Sequence, residues 1–373
     1  MFGIGLRGRG DWSREAVAKL AMSAAPFFSL RRTVAGFAVV WLAAVTVLHG
    51  WMNLHLFAHT EGGKEYRYRI GFLPVTCHLT CPVTDFINRQ LTGTSIFDPV
   101  RFNGWPELKE AYLSGYTPAT FILAPMAIAL REQGVRIKIV YLGHRDGSAL
   151  MVRKDSSIHT IDDLRGKTIA VPGRYANQEL MLFRELKTRG MSLDDVKVVE
   201  MAPPDMPVAL YSRAVDAITS GEPFMGQTEL DGYGRCLYQA KDVWPGFISC
   251  VLAVSEDMIK NHRPQVQELV NGIAASGKWL DTSMDHRMEA AQFVSTLYYN
   301  QNPRLLTYVL SKPPDRVKYS NLKPNRANFE EIEMLGKAEG MLKGTSHFDD
   351  YTDTSFAPDD DKVAAESYEG KAQ

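Results

Sequence analysis

From Tyr66 the chain alternates short apolar runs with amphipathic stretches. YRYRIGFLPV (66–75) reads as a buried strand, rich in aromatic and branched residues and closed by Pro74. A helical stretch follows over 82–91, then a short strand near Val100–Phe102. WPELKEAYLSG (105–115) places Leu108, Ala111 and Tyr112 on one helical face and stops at Gly115. FILAP, MAIALREQG and VRIKIVYLG continue as strand, helix and strand.

The pattern then restarts. KTIAVPG (167–173) is a strand, NQELMLFRELKTRG a helix with its stop at Gly190, and VKVVEMA a strand. PVALYSRA, DAITSGEP and FMGQTELDGYG read as helix, strand and helix, and GRCLYQ and FISCVLAV as two further strands. From 255 to 341 the chain is mainly helical, broken at Pro264, Pro303 and Pro313-Pro314. Such alternation predicts α/β architecture with mostly parallel sheets covered by helices on both faces. Two units with a returning helical segment predict two lobes, the second inserted in the first. The expected crossovers are VRKDSSIHTID (152–162) and the strand at 250–254. The division is then 66–152 and 252–345 for the first lobe and 153–251 for the second. Ligands of such sheets sit beyond the carboxyl ends of the strands, so one cleft between the lobes is the expected site.

The 373 residues carry 42 Lys+Arg against 43 Asp+Glu, and a net charge of −1 gives no basic field for nucleic acid. That sum hides a basic head and an acidic tail. Residues 1–32 hold Arg7, Arg9, Arg14, Lys19, Arg31 and Arg32 against Asp11 and Glu15, whereas 346–373 is acidic and reads as a flexible tail. The sixteen residues Thr33–Leu48 carry no charge, and with neutral histidines the run extends to Phe57. Spanning a bilayer takes about 20 apolar residues. Residues 1–58 therefore read as a basic flank plus a membrane anchor or a cleaved signal segment, with the rest of the chain outside the cytoplasm.

Several residues carry candidate chemistry. The loop PVTCHLTCP (74–82) opens a helix, where backbone amides favour anions, and Thr76 and His78 can add side-chain donors. Thr76 can equally be an ordinary helix cap. Cys77, His78 and Cys81 form C-H-x-x-C; the two thiols, one helical turn apart, suit a disulfide, ligand-facing thiols or a soft metal, or are simply buried. Three local ligands fall short of a structural zinc site, so no metal is assigned. Cys236 and Cys250, near neighbouring strands, offer a second disulfide. Arg174 and Asn177 open the first helix of the second lobe; Asn177 either caps it or reaches a ligand oxygen, and Arg174 is either a surface residue or a bidentate anion donor. There is no Gly-rich phosphate loop, H-E-x-x-H or G-x-S-x-G, and no cofactor is expected.

GSALMVRKDSSIHTIDDLRGKTIAVPG, RFNGWPELKEAYLSGYTPATFILAPMAIAL and AVDAITSGEPF followed by Asp242-Val243-Trp244-Pro245 resemble segments of ABC-importer substrate-binding proteins. The group concerned takes up nitrate, bicarbonate, taurine and alkanesulfonates. HFDDYTDTSFA adds a similar C-terminal flavour, and the likeness runs from about Tyr66 to Ala357. The resemblance implies a type II periplasmic-binding-protein fold, a small-molecule ligand, a permease and ATPase as partners, a periplasmic or extracytoplasmic location, and no catalysis. It also places ligand contacts in the 74–82 loop, at Trp105, at Ser148 and at Glu222. Glu222 then either meets a ligand amine or bonds across the hinge. Where the nitrate and bicarbonate branch carries a charge, this chain has the uncharged Gly246–Cys250, which points to a larger, partly apolar organic ligand. Two other readings stay open: an enzyme similar to thiamine-pyrimidine synthases, whose cysteine-rich stretch C-H-x-x-C does not reproduce, and a membrane-anchored sensory or accessory module.

Overall fold

The computed structural model describes residues 34–48 and 67–363. Residues 34–48 form one exposed helix in a unit separate from the remainder. Among the described residues no helix is long and apolar enough to cross a membrane. The rest of the expected anchor, and the last part of the expected tail, lie outside the described residues.

The described residues of the second unit contain eleven strands: β1 (Tyr68–Phe72), β2 (Phe97–Arg101), β3 (Ala119–Ile122), β4 (Ile137–Asp146), β5 (Ser148–Arg153), β6 (Thr168–Val171), β7 (Lys197–Glu200), β8 (Ala217–Gly221), β9 (Gly234–Gln239), β10 (Ile248–Ser255) and β11 (Val317–Lys318). They build two sheets, ordered β11-β4-β10-β3-β1-β2 and β7-β6-β8-β5-β9. The whole of β3 and β8, and β10 up to Val254, is buried, as strands covered on both faces must be.

Both sheets are mixed rather than mostly parallel. β1 pairs in parallel with β2 and β3, and β6 with β7 and β8, whereas every pairing of β5 and β10 is antiparallel. The cause is the way the chain changes sheet. It leaves the first sheet at the carboxyl end of β4 and enters the second directly as β5, so β5 runs against its neighbours; β10 makes the return trip in the same manner. Ser148 at the start of β5 accordingly lies opposite Gly221 at the end of β8, and Ile248 opposite Arg145. The carboxyl ends of the parallel strands in both sheets therefore converge on the two crossovers.

Those crossovers fall earlier than the sequence suggested. The first is Gly147 and the second spans 240–247, so β5 belongs wholly to the second sheet and β10 to the first. The residues at 152–162 were misplaced because their polar, loop-like character reflects a surface turn after β5, not a change of sheet. Gly147 has φ 65°, and a Cβ there would come within 2.6 Å of His144 Cε1 and Val317 Cγ1. Only glycine meets both demands.

The acidic segment from 346 is not a flexible tail over its described part. Phe348, Tyr351 and Phe356 are buried, Thr352 bridges to Ile139 of β4, and Lys138 Nζ donates to the carbonyls of Asp349 and Asp350. The aromatic residues between the acidic ones supply the packing that a charge count overlooks.

Candidate functional site

The loop leaving β1 is a single 3-10 turn, Thr76–His78, followed by the helix Thr80–Thr92, and all three turn residues are buried. Each is tied down from a different part of the chain. The Thr76 amide donates to the carbonyl of Glu222 at 2.8 Å, and the Thr76 hydroxyl lies 2.8 Å from His144 Nε2. Tyr319 Oη donates to the Thr76 carbonyl and Tyr299 Oη to that of Val75. His78 Nδ1 accepts from the Leu73 amide at 2.7 Å, while its ring stands perpendicular to Trp105 at 5.5 Å. Thr76 is therefore neither a cap nor an exposed donor: its amide is spent on a bond between the two sheets.

Glu222 lies just beyond β8 and makes that bond from the other side. Its side chain accepts from Arg316 Nη1 at 2.5 Å and from the Gly226 amide at 2.7 Å, and Arg316 Nη2 reaches Glu229 at 2.7 Å. Burial pushes the Glu222 carboxyl up, opposed by the Arg316 charge. Arg316 flanks Gly147 as well: the Gly147 amide donates to the Arg316 carbonyl at 2.8 Å. Arg316 was missed by sequence reading. It follows Pro313-Pro314 in a stretch expected to be mainly helical, where the structure has a bend, and only the return of β11 against β4 brings it to the crossover.

The helix Asn177–Thr188 brings in the second lobe. Ala176, not Asn177, is its N-cap, and Asn177 Nδ2 instead donates to the carbonyl of Ile248 at the start of β10. Gln178 Nε2 donates to Ser148 Oγ at 2.9 Å. Asn177 Oδ1, Gln178 Oε1 and Ser249 Oγ are buried without a protein partner, so this seam retains unused acceptors and donors.

Trp105 and Arg174 meet at a cavity of about 200 Å³ between the lobes, also lined by Met126, Leu130, Tyr175 and Glu200. Trp105 is held by the helix Trp105–Leu113, which begins after Gly104, has proline in its first turn and buries Leu108 and Tyr112 one turn apart. Its indole Nε1 is buried with no protein partner. Arg174 is exposed, its amide donates to Glu200 at 3.0 Å, and its guanidinium lies over Tyr175 at 5.3 Å. One wall thus offers Trp105, Lys109 and apolar Met126 and Leu130, the other a cation and an aromatic ring. Glu179, next along the helix, is pushed up to about 7 by burial, with Glu339 and Glu200 adding to the shift and Arg174 opposing it.

The cysteines do not pair as expected. Cys77 Sγ lies 2.7 Å from Cys250 Sγ, not beside Cys81. Cys81 is buried on the following helix, and Cys236 sits opposite Met151 in the second sheet while Cys250 belongs to the first, which separates that pair. The ligand atoms of Cys77, His78 and Cys250 lie within 4.8 Å of one another.

The expected residues therefore divide. Trp105 and Arg174 share the cavity; Thr76, Ser148, Asn177 and Glu222 form the polar seam behind it; Cys77 and His78 form a buried cluster beneath Trp105.

Similarity to known proteins bears on the fold and the family. The chain is 21% identical over 265 residues to the nitrate import ATP-binding protein of Synechocystis sp., covering 65% of this chain and 39% of that protein. It thus spans about two fifths of the length of this curated relative. The ligand-binding component of an ABC-type import system from Staphylococcus aureus, solved with zinc bound, superposes with a TM-score of 0.71 at 24% identity, covering 80% of this chain and 99% of that one. The alkanesulfonate-binding protein from Xanthomonas axonopodis pv. citri, bound to MOPS, gives a TM-score of 0.66 at 18% identity over 78% and 100% of the two chains. At such identities these structures share the fold: two α/β sheets as in periplasmic binding proteins. The model of the NMT1-like family matches residues 62–295, and the chain belongs to that family.

Proposed function

We propose that this chain is the extracytoplasmic solute receptor of an ABC importer. It takes a small organic anion with an apolar part between its lobes, closes about Gly147 and the 240–247 crossover, and presents the closed form to a permease and its ATPase. The observation that carries this reading is the cavity where Trp105 of one lobe faces Arg174 of the other. A ligand touching both walls favours the closed arrangement, and that difference in affinity between states is what drives closure. Arg174 suits a carboxylate or sulfonate, and Trp105, Met126 and Leu130 suit carbon. The uncharged 246–250 segment supports the same class over a small inorganic ion. The protein acts here as a receptor and not as a catalyst, and residues 1–58 serve as its leader or membrane anchor.

Calorimetric titration of the full chain with sulfonates, carboxylates, pyrimidines and nitrate tests the proposal. Binding of an organic anion, with a more compact small-angle scattering profile, is the expected result. Failure of every class to bind overturns it, and turnover of any of them would favour the enzyme reading.

A further inference from the structure

Cys77 and Cys250 lie far apart in sequence, in the cleft loop and on the strand that returns from the second sheet, yet their sulfurs are 2.7 Å apart. Both are almost fully buried, at 3% and 1% exposure. A side chain at Gly143 would run into the Cys77 carbonyl, so β4 is held close against this loop from a third side. We propose that Cys77 and Cys250 are a modification site: they are oxidised to a disulfide that staples the Thr76–His78 loop to β10.

Geometry favours the covalent bond over a metal. Zinc–thiolate bonds of about 2.3 Å to sulfurs this close would require a S–Zn–S angle of roughly 70°, far from tetrahedral. The third candidate ligand is also unsuited: His78 Nδ1 accepts the Leu73 amide, so the neutral ring carries its proton on the unpartnered Nε2, which then has no lone pair for a metal.

The oxidant is a disulfide of a small molecule or of a thiol–disulfide exchange protein, as found outside the cytoplasm, and to that extent the source of oxidant rests on the proposed location. The Cys77 thiolate attacks one donor sulfur, breaking the donor S–S bond, releasing one thiolate and leaving a mixed disulfide. The Cys250 thiolate then attacks Cys77 Sγ and releases the second. The two protein thiols give up two electrons to the donor and two protons to its released thiolates. Exchange takes place while the chain folds, before both sulfurs are buried, and the finished bond is then shielded from reductants. The linked residues enclose most of the two-sheet unit, a span for which a cross-link restricts the unfolded chain strongly.

The test is independent of where the protein resides. Full-length chain is unfolded in reductant, refolded with reduced and oxidised glutathione, and digested without reduction. The expected product links the peptides holding Cys77 and Cys250, persists in the Cys81→Ser/Cys236→Ser variant, and loses about 5 °C or more in Tm when reduced. Four free thiols in denaturant after this treatment, a link joining any other pair, an unchanged Tm on reduction, or one equivalent of zinc retained and lost in Cys77→Ser would each overturn the proposal. Ligand titration fails or succeeds separately, so this outcome is distinguishable from failure of the receptor reading.

Discussion

The backbone amide of Thr76 donates to the backbone carbonyl of Glu222 at 2.8 Å, joining the loop after β1 of one sheet to the end of β8 in the other. Because both groups are main-chain, no side-chain substitution removes this bond directly. What substitution can disturb is the set of buried partners that hold it.

Arg316 is the first of these. Replacing it with Met leaves the Glu222 carboxylate buried without its counter-charge, and the expected cost is about 3–5 kcal/mol in urea unfolding. Adding Glu222→Gln should recover a large part of the loss, since the uncompensated charge is then gone. Equal stability of the single and double variants would contradict the pairing.

Gly147 is the second. Gly147→Ala puts a Cβ at positive φ against His144 and Val317, and should cost about 1–3 kcal/mol. Gly166→Ala is the comparison: it also has a positive φ, 72°, but nothing lies within 4 Å of the new Cβ. It should lose only about 1 kcal/mol. Chemical denaturation of the two variants separates backbone strain from steric overlap at the crossover.

The cavity walls give a binding prediction. Arg174→Ala should leave stability within about 0.5 kcal/mol, because the side chain is exposed. It should raise the Kd of an anionic ligand about tenfold or more, the usual worth of a charged hydrogen bond. Trp105→Phe keeps most of the buried ring but removes the unpartnered indole N–H, and calorimetry should show a smaller loss of affinity.

Glu179 makes stability fall as pH rises. Its folded value, about 7, exceeds the ordinary 4.5, so the folded state binds the proton more tightly than the unfolded one. The protein therefore loses stability between pH 4.5 and 7 on this account, and above pH 7 the full penalty applies. Glu179→Gln removes the charge, and should raise stability at pH 8 by about 1–3 kcal/mol while changing little at pH 4.5. Thermal melts at both pH values decide the matter.

How much of this was legible beforehand differs between elements. The strand–helix alternation identified both α/β sheets, since runs such as FISCVLAV carry buried strands, although FILAP straddles the end of β3 and the start of the helix Ala124–Glu132. Arg174 was singled out because it precedes a helix by a short loop, a local feature, whereas Trp105 was singled out by the family resemblance. The antiparallel course of β5 and β10, in contrast, follows from where the chain changes sheet, and one glycine at 147 gives little local signal for that. The aromatic residues at 348, 351 and 356 were read as part of an acidic tail because charge is easily counted and docking is not.

The sequence by itself determined the two-sheet α/β architecture, because hydrophobic periodicity acts over a few residues, and the order of its motifs carried the family resemblance. Tertiary structure alone decided that Arg316 is the partner of Glu222 and that Cys250, not Cys81, faces Cys77. These contacts join residues 94 and 173 positions apart, and their chemistry exists only once the fold has excluded water and brought the two charges, or the two sulfurs, together.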